Sequence, residues 1–378
     1  MPEVLVVGAG PVGRLLASEL QRRGVDARIL ERRAAAGGGS RAIGVHAPVL
    51  RALEASGITE RLLASATRVS RGEARAGREL LGTVRFDRLS ARFPFVATLP
   101  QSATEAALSG PGAPIEFGTT VTSIRPDGDR MRVRVHRPQG PDELTAQIVI
   151  VASGASGRGL VYRRRSVPVR AYAGRYLMAD TDVAVADATA VVRLERAGVL
   201  ESFPLPGVRR RFVTWDPQPE DERPEGRLAR IRSALAAAGE HDAAERVAAA
   251  SGFQVRRVVV PRMRRDRLIV VGDAAHEVSP IGGQGMNLGL LDAAFLAPLV
   301  AEWVRHGAAP EAALARWERR RLASARTAAA LASVNTALGT PLGPRADTAR
   351  RAALRLALTP AVGMLFARAY AMGFDRDA

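Results

Sequence analysis

The residues best suited to chemistry lie between Arg267 and Ala293, in the stretch RLIVVGDAAHEVSPIGGQGMNLGLLDA. An apolar run ends at Gly272-Asp273, and a proline and a glycine cluster then lead into an apolar-periodic segment, the pattern of strand, loop and helix. Asp273, at the carboxyl end of the strand, suits ligand hydroxyls. Gly282, Gly283 and Gly285 leave no side chain to keep a ligand off the amino end of the helix. Backbone N–H groups and the helix dipole favour negative charge there.

A second candidate opens the chain. Glu3 to Val7 is a short apolar run, followed at once by Gly8-Ala9-Gly10-Pro11-Val12-Gly13 and a helical segment from Arg14 to Arg23. In that setting Gly8 permits a tight turn, Gly10 lets a pyrophosphate approach the backbone, and Gly13 lets the helix pack close to the strand. A second strand, Asp26 to Leu30, ends at Glu31, whose carboxylate can accept hydrogen bonds from ribose hydroxyls, with Arg32 beside it. The motif alone does not separate FAD from NAD; its place at the N-terminus leans toward FAD. Arg41, after the glycine-rich loop Ala34 to Ser40, competes for a phosphate or flavin contact. His46 is expected to make a structural hydrogen bond.

Composition narrows the alternatives. The 378 residues carry a formal charge of +17, yet no lysine is present, so all 55 basic residues are arginine. Aromatic residues make up 4% and no basic block is interleaved with them, which speaks against nucleic-acid binding. The absence of cysteine excludes disulfides, thiol catalysis and thiolate metal sites. No uninterrupted apolar run reaches about 18 residues and no leader is visible, so the expectation is a soluble, cytoplasmic protein without stable membrane insertion. Carboxylate pairs, zinc-type histidine spacing and a nucleophile elbow are all missing, and no metal is expected.

The elements that must position these motifs can be read in order. Short alternating segments, including Thr83 to Phe86 and Phe93 to Ala97, predict strands. A helix is expected from Leu99-Pro100-Gln101-Ser102 to about Leu108, then strands over Ile115–Phe117, Thr120–Arg125, Arg130–His136 and Leu144–Val151. Ala152-Ser153-Gly154-Ala155-Ser156-Gly157 forms another strand-to-glycine turn. From about Leu160 to Val260, strand-like runs alternate with one helix near Gly226–Ala238, and the Arg209-Arg210-Arg211 run reads as a solvated turn. Tyr172, Tyr176, Phe203 and Trp215 could line a pocket, although packing is the more common use of each. Long helices are expected to about His306 and over Ala312–Leu338, and the basic, apolar tail Arg350–Phe374 is expected to pack against the body of the protein.

Taken together, GAGPVG at 8–13, Glu31, Arg41, LPQSATEAAL at 99–108 and GDAAHEVSPIGGQGMNLGLLDA at 272–293 resemble the class A FAD-dependent aromatic hydroxylases of the para-hydroxybenzoate hydroxylase fold, which include the ubiquinone-pathway hydroxylases. The resemblance implies an α/β fold. An FAD-binding domain would come from residues 1–66, 98–160 and 261–310, a sheet-plus-helix substrate domain from 67–97 and 161–260, and C-terminal helices from 311–378. It implies cofactor binding by Gly8, Gly10, Pro11, Val12, Gly13, Glu31, Arg32, Arg41, Gln101, Gly272, Asp273, Pro280, Gly283, Gly285, Met286 and Asn287. In that scheme Pro280 lies beside the isoalloxazine, and the Gly283–Asn287 amides face the flavin N1–C2=O edge. One departure stands out: the family's middle Asp-Gly pair is Ser153-Gly154 here.

The chemistry so implied is hydroxylation of an aromatic or polycyclic secondary-metabolite substrate through a C4a-hydroperoxyflavin, with NADPH or NADH as transient reductant and O2 as co-substrate. No side chain declares itself as a catalytic base. Rival readings are Baeyer-Villiger-type oxygen insertion, a prenyl-chain reductase, and a non-redox cyclase or binding protein that retains FAD. A flavin halogenase would need a catalytic lysine, and the chain has none. Substrate identity and oligomeric state are not encoded in any motif.

Overall fold

The computed structural model describes residues 1–37, 42–89, 91–110, 113–184 and 187–375. Its centre is a six-stranded sheet in the order Arg264–Arg265, Leu268–Val270, Ile148–Val151, Val4–Val7, Ala27–Leu30 and Ile115–Glu116. The neighbours from Leu268–Val270 through Ile115–Glu116 pair in parallel. Val4–Val7 and Ile148–Val151 are buried throughout, as strands covered on both faces must be. Helices Pro11–Gln21 and Gly285–His306 pack together over this sheet. The second of these is long and apolar enough to cross a membrane, but 67% of that stretch is buried inside the protein as core.

A second, eight-stranded sheet runs His276–Glu277, Ser251–Val259, Val169–Asp182, Arg209–Trp215, Gly198–Pro204, Ala190–Glu195, Arg71–Ala76 and Glu79–Arg85. Strands from two distant stretches of chain meet here, where Ala190–Glu195 pairs in parallel with Arg71–Ala76. One face carries Leu177, Ala179, Leu200 and Phe212 and is covered by Ile231 and Leu235 of helix Pro224–Ala237 and by Ala243, Ala244 and Val247. The other face carries Tyr176, Leu194, Val199, Val213 and Val255, and packs on Ile281, Leu338 and Leu354. The sheet thus turns one apolar face toward the glycine cluster at 282–285.

Several sequence-based expectations need correcting. Arg209-Arg210-Arg211 is not a solvated turn but the start of strand Arg209–Trp215. Arg210 is buried and donates to Ser202 Oγ at 2.7 Å and to the carbonyls of Asp187, Thr189 and Ser202. Arg211 forms a two-pronged pair with Asp180 at 2.6 and 2.7 Å. Guanidiniums with full partner sets can enter a sheet that a bare charge could not. Leu144–Val151 splits into Gly140–Ala146, which belongs to a three-stranded antiparallel sheet, and Ile148–Val151. Phe93–Ala97 contributes only to the short strand Val96–Thr98, while Phe93 and Phe95 meet edge-to-face, 6.2 Å between centroids. The tail folds into helices Pro344–Ala357 and Pro360–Tyr370, and the second ties back to the glycine loop.

Candidate functional site

The N-terminal turn has the geometry its glycines require. Gly8 has φ +109°, and a β-carbon on Gly13 would lie 2.0 Å from the Gly8 carbonyl oxygen, so the helix touches the strand at this point. A β-carbon on Gly10 would meet nothing within 4 Å, which leaves that backbone open to a ligand. Pro11 sits in the first turn of the helix, where its missing N–H costs nothing. Val12 fills a slot that two other glycines leave: β-carbons on Gly272 and Gly289 would come within 3.2 and 2.6 Å of its side chain. The two glycine-rich segments are therefore packed directly against each other.

Glu31 is buried at the end of its strand. One carboxylate oxygen accepts the Ala9 N–H at 2.8 Å, and the other accepts the Arg33 N–H and guanidinium, both at 2.9 Å. Burial pushes its carboxyl up, but Arg33 and the two N–H groups outweigh burial and hold it below the usual range. The Arg33 guanidinium also reaches the first oxygen at 3.3 Å, so four donors already fill the carboxylate, and a ribose hydroxyl would take the place of that longest contact. Arg32 is exposed, and Arg41 lies outside the described residues. Gln101, the first residue of helix Gln101–Leu108, donates to Glu105 at 2.9 Å.

The loop before helix Gly285–His306 is fastened on several sides. Asn287 is fully buried; its Oδ1 accepts the His46 N–H at 2.8 Å and its Nδ2 donates to the carbonyls of Gly44 and Gly283, both at 2.9 Å. Its side chain is thus a brace, and only its backbone N–H can serve a ligand. His46 is also buried, with its ring bonded to the Gly283 backbone, and burial pulls its pKa down to about 4. The expected structural role for His46 is what its contacts show. Ser279 meets Thr336 at 2.8 Å, and Gln284 donates to the Ala369 carbonyl at 2.9 Å. Pro280 is exposed, Gly282 and Gly283 have φ +103° and +68°, and Gly285 and Met286 start the helix. The first N–H groups of a helix have no partner within it, so this 22-residue helix presents donors at its open end.

Gly272 and the exposed Asp273 begin a single tight helical turn after the apolar strand. Arg158 clamps that turn from the middle segment, donating to the carbonyls of Asp273 at 2.7 Å and Ala274 at 3.2 Å and pairing with Glu277. Behind it lies a fully buried ionic cluster. Asp292 accepts from the Gly272 N–H at 3.0 Å, His276 Nε2 at 2.6 Å and Arg321 at 3.1 Å, and Arg321 also grips Asp375. Burial opposes charge on both partners, but attraction prevails: the His276 pKa is raised and that of Asp292 lowered.

His276 and Asp292 fall inside the 272–293 motif, where an acidic residue on a buried helical face is the local signal of a paired cluster. Arg158, Arg321 and Asp375 come from separate stretches and carried no local signal. Ser153 Oγ is buried without a partner among the described residues, packed where a β-carbon on Gly157 would have to sit.

The family model of the FAD binding domain matches residues 1–332. The chain belongs to this family. A 6-methylpretetramide 4-monooxygenase of Streptomyces rimosus is 33% identical over 365 residues, covering 89% of this chain and 63% of that protein, so the chain spans less than two thirds of this relative's length. The OxyS anhydrotetracycline hydroxylase of the same species is 26% identical with a TM-score of 0.79, over 98% of this chain and 75% of that chain. The p-nitrophenol 4-monooxygenase PnpA of Pseudomonas putida DLL-E4, 22% identical, shows the fold alone, with a TM-score of 0.86 over 100% of this chain and 99% of the other. The class A hydroxylase fold expected from the motifs is therefore the fold of this chain. FAD is the cofactor of the family, and the open Gly10 backbone, the Glu31 carboxylate and the free helix end suit its pyrophosphate, ribose and ring edge in turn.

Proposed function

We propose that the chain is a soluble, cytoplasmic FAD-dependent monooxygenase that uses NADPH or NADH and O2 to hydroxylate an aromatic or polycyclic substrate. The observation that supports it most is one juxtaposition: the fastened glycine loop and open helix end meet the apolar face of the eight-stranded sheet through Ile281. In this reading the sheet built from 67–97 and 161–260 binds substrate, and the remaining segments hold the cofactor and close the site. Bound FAD supplies reduction by the nicotinamide and activation of oxygen.

The chain's own residues do the rest. Gly8, Gly10, Pro11, Val12 and Gly13 would form the pyrophosphate turn, and Glu31 would accept from the ribose, with Arg32, Arg41 and Gln101 near the phosphate and ribityl side. Gly272 and Asp273 would meet the ribityl hydroxyls. The amides of Gly283, Gly285, Met286 and Asn287 would aim partial positive charge at the ring edge where negative charge develops. Pro280 would form the exposed wall beside the ring. Tyr176, fully buried, stacked on Phe253 at 5.7 Å and edge-on to Trp215 at 5.6 Å, would form the apolar backing that keeps water out of the site.

A second reading, FAD retained for non-redox chemistry, is favoured by the sealed Ser153 hydroxyl, which carries no charge to offer a nicotinamide cofactor. Nicotinamide consumption coupled to oxygen incorporation, measured on the FAD-loaded protein with phenols and polycyclic ketones, separates the two.

A further inference from the structure

Glu201 is the one carboxylate in the strand Gly198–Pro204, GVLESFP, and it sits on the apolar face of the eight-stranded sheet. Its cross-strand neighbours are Val192 and Val213, and it shares its face with Val199. It is 4% exposed, and among the described residues its carboxylate has neither a hydrogen bond nor an ion pair. An unpaired buried carboxylate costs stability, so a sheet has no structural reason to keep one.

The residues around it lead to the cofactor loop. Two tyrosines feel the charge of Glu201: Tyr176 from strand Val169–Asp182 and Tyr370 from helix Pro360–Tyr370. Among the described residues the buried Tyr176 hydroxyl has no partner. Tyr370 donates to Asn335 Oδ1 at 3.0 Å, and the Asn335 amide lies 3.1 Å from where a Gly282 β-carbon would stand. Ile281 belongs to the same apolar cluster as Tyr176, Val199 and Val213. An orphan acid and an orphan hydroxyl thus share the apolar face that packs against the 280–285 loop.

We infer that Glu201 is the acid–base residue of the substrate site, taking the proton from a ring hydroxyl of a phenolic substrate held between this sheet face and the loop. The inference rests on the reading of that face as the substrate site. The substrate O–H bond breaks, a Glu201 O–H bond forms, and the electron pair stays on the phenolate oxygen, which makes the ring more electron-rich. The Tyr176 hydroxyl is the free donor for that oxygen. Burial pushes the Glu201 carboxyl up to about 8, close to the range of phenols. Burial first, and then the Glu201 charge, raises both tyrosines, Tyr370 to about 12, so both stay protonated as donors. From the adjoining strands Glu201 faces valines; helix Glu311–Leu338 brings Leu338 to this face and helix Pro344–Ala357 brings Leu354, while the buried Arg350 of the latter donates to the Leu338 and Glu195 carbonyls.

The test measures binding of 2-naphthol, a phenol that stays protonated below pH 9, to the FAD-loaded protein by equilibrium dialysis from pH 6 to 9. Wild-type affinity should rise about tenfold as Glu201 ionises, because a charged acceptor makes the stronger hydrogen bond. In Glu201→Gln the affinity should stay flat across this range, and Glu201→Asp should restore a pH-dependent rise. Removing a buried charge leaves Glu201→Gln folded, which its flavin spectrum and unfolding curve verify. Equal pH profiles for wild type and Glu201→Gln would overturn the role of Glu201 alone. Absence of 2-naphthol binding at every pH would overturn it too, and nicotinamide-driven bleaching of the flavin would then show whether the redox reading survives without it.

Discussion

His276 Nε2 lies 2.6 Å from Asp292 Oδ2 with both side chains fully buried, and this contact joins the strand His276–Glu277, just after the Gly272–Ala274 turn, to helix Gly285–His306. Arg321 and Asp375 complete the cluster from the long helix and the tail. Losing Asp292 leaves His276 and the Gly272 N–H without their acceptor and Arg321 with Asp375 alone in the core. Asp292→Ala should cost roughly 3–5 kcal/mol and release FAD more readily, as read by urea unfolding and flavin retention on gel filtration.

Gly10 and Gly13 should fail differently. A Gly13 β-carbon meets backbone at 2.0 Å, so Gly13→Ala should lower thermal stability and abolish FAD loading together. A Gly10 β-carbon meets nothing in the protein, so Gly10→Ala should fold normally yet bind FAD at least about tenfold more weakly. Circular dichroism melts beside flavin fluorescence titrations distinguish them.

His46 predicts acid sensitivity. Burial depresses its folded pKa from 6.5 to about 4, so below pH 6.5 the unfolded chain takes up a proton that the folded protein refuses. Stability is therefore lost as pH falls from about 6.5 to about 4, by roughly 3 kcal/mol for this group. His46→Gln should flatten that part of the stability-against-pH curve while the remainder is retained.

Glu201 has the opposite sign. Its folded pKa is raised from 4.5 to about 8, so its contribution is intact below about 4.5 and is lost as pH rises toward 8. Glu201→Gln should be more stable than wild type at pH 8, by on the order of a few kcal/mol, with the gap closing near pH 4. Denaturant midpoints at the two pH values measure it.

How much of this was legible in the sequence depends on the range of the interaction. Gly8, Gly10 and Gly13, and the strand–loop–helix around Gly272-Asp273, announce themselves because turn, close approach and helix start are set by neighbours in the chain. Arg210 and Arg211 did not, because their partners Asp187, Thr189, Ser202 and Asp180 arrive by strand pairing and the face of a sheet is invisible until register is known. Glu201 was hidden for the same reason: one acid in GVLESFP looks like an outward residue until both faces prove to be covered. The tail's role in holding Gln284 through the Ala369 carbonyl was equally beyond a local pattern.

The most direct test of the central claim is anaerobic mixing of the FAD-loaded protein with NADPH or NADH, with and without a panel of phenols and polycyclic ketones, followed by admission of labelled oxygen. A monooxygenase predicts that one compound accelerates bleaching of the flavin and that its product carries one labelled oxygen atom. FAD that stays oxidised with both nucleotides and every compound would contradict the redox reading and leave the cofactor a structural part of the fold.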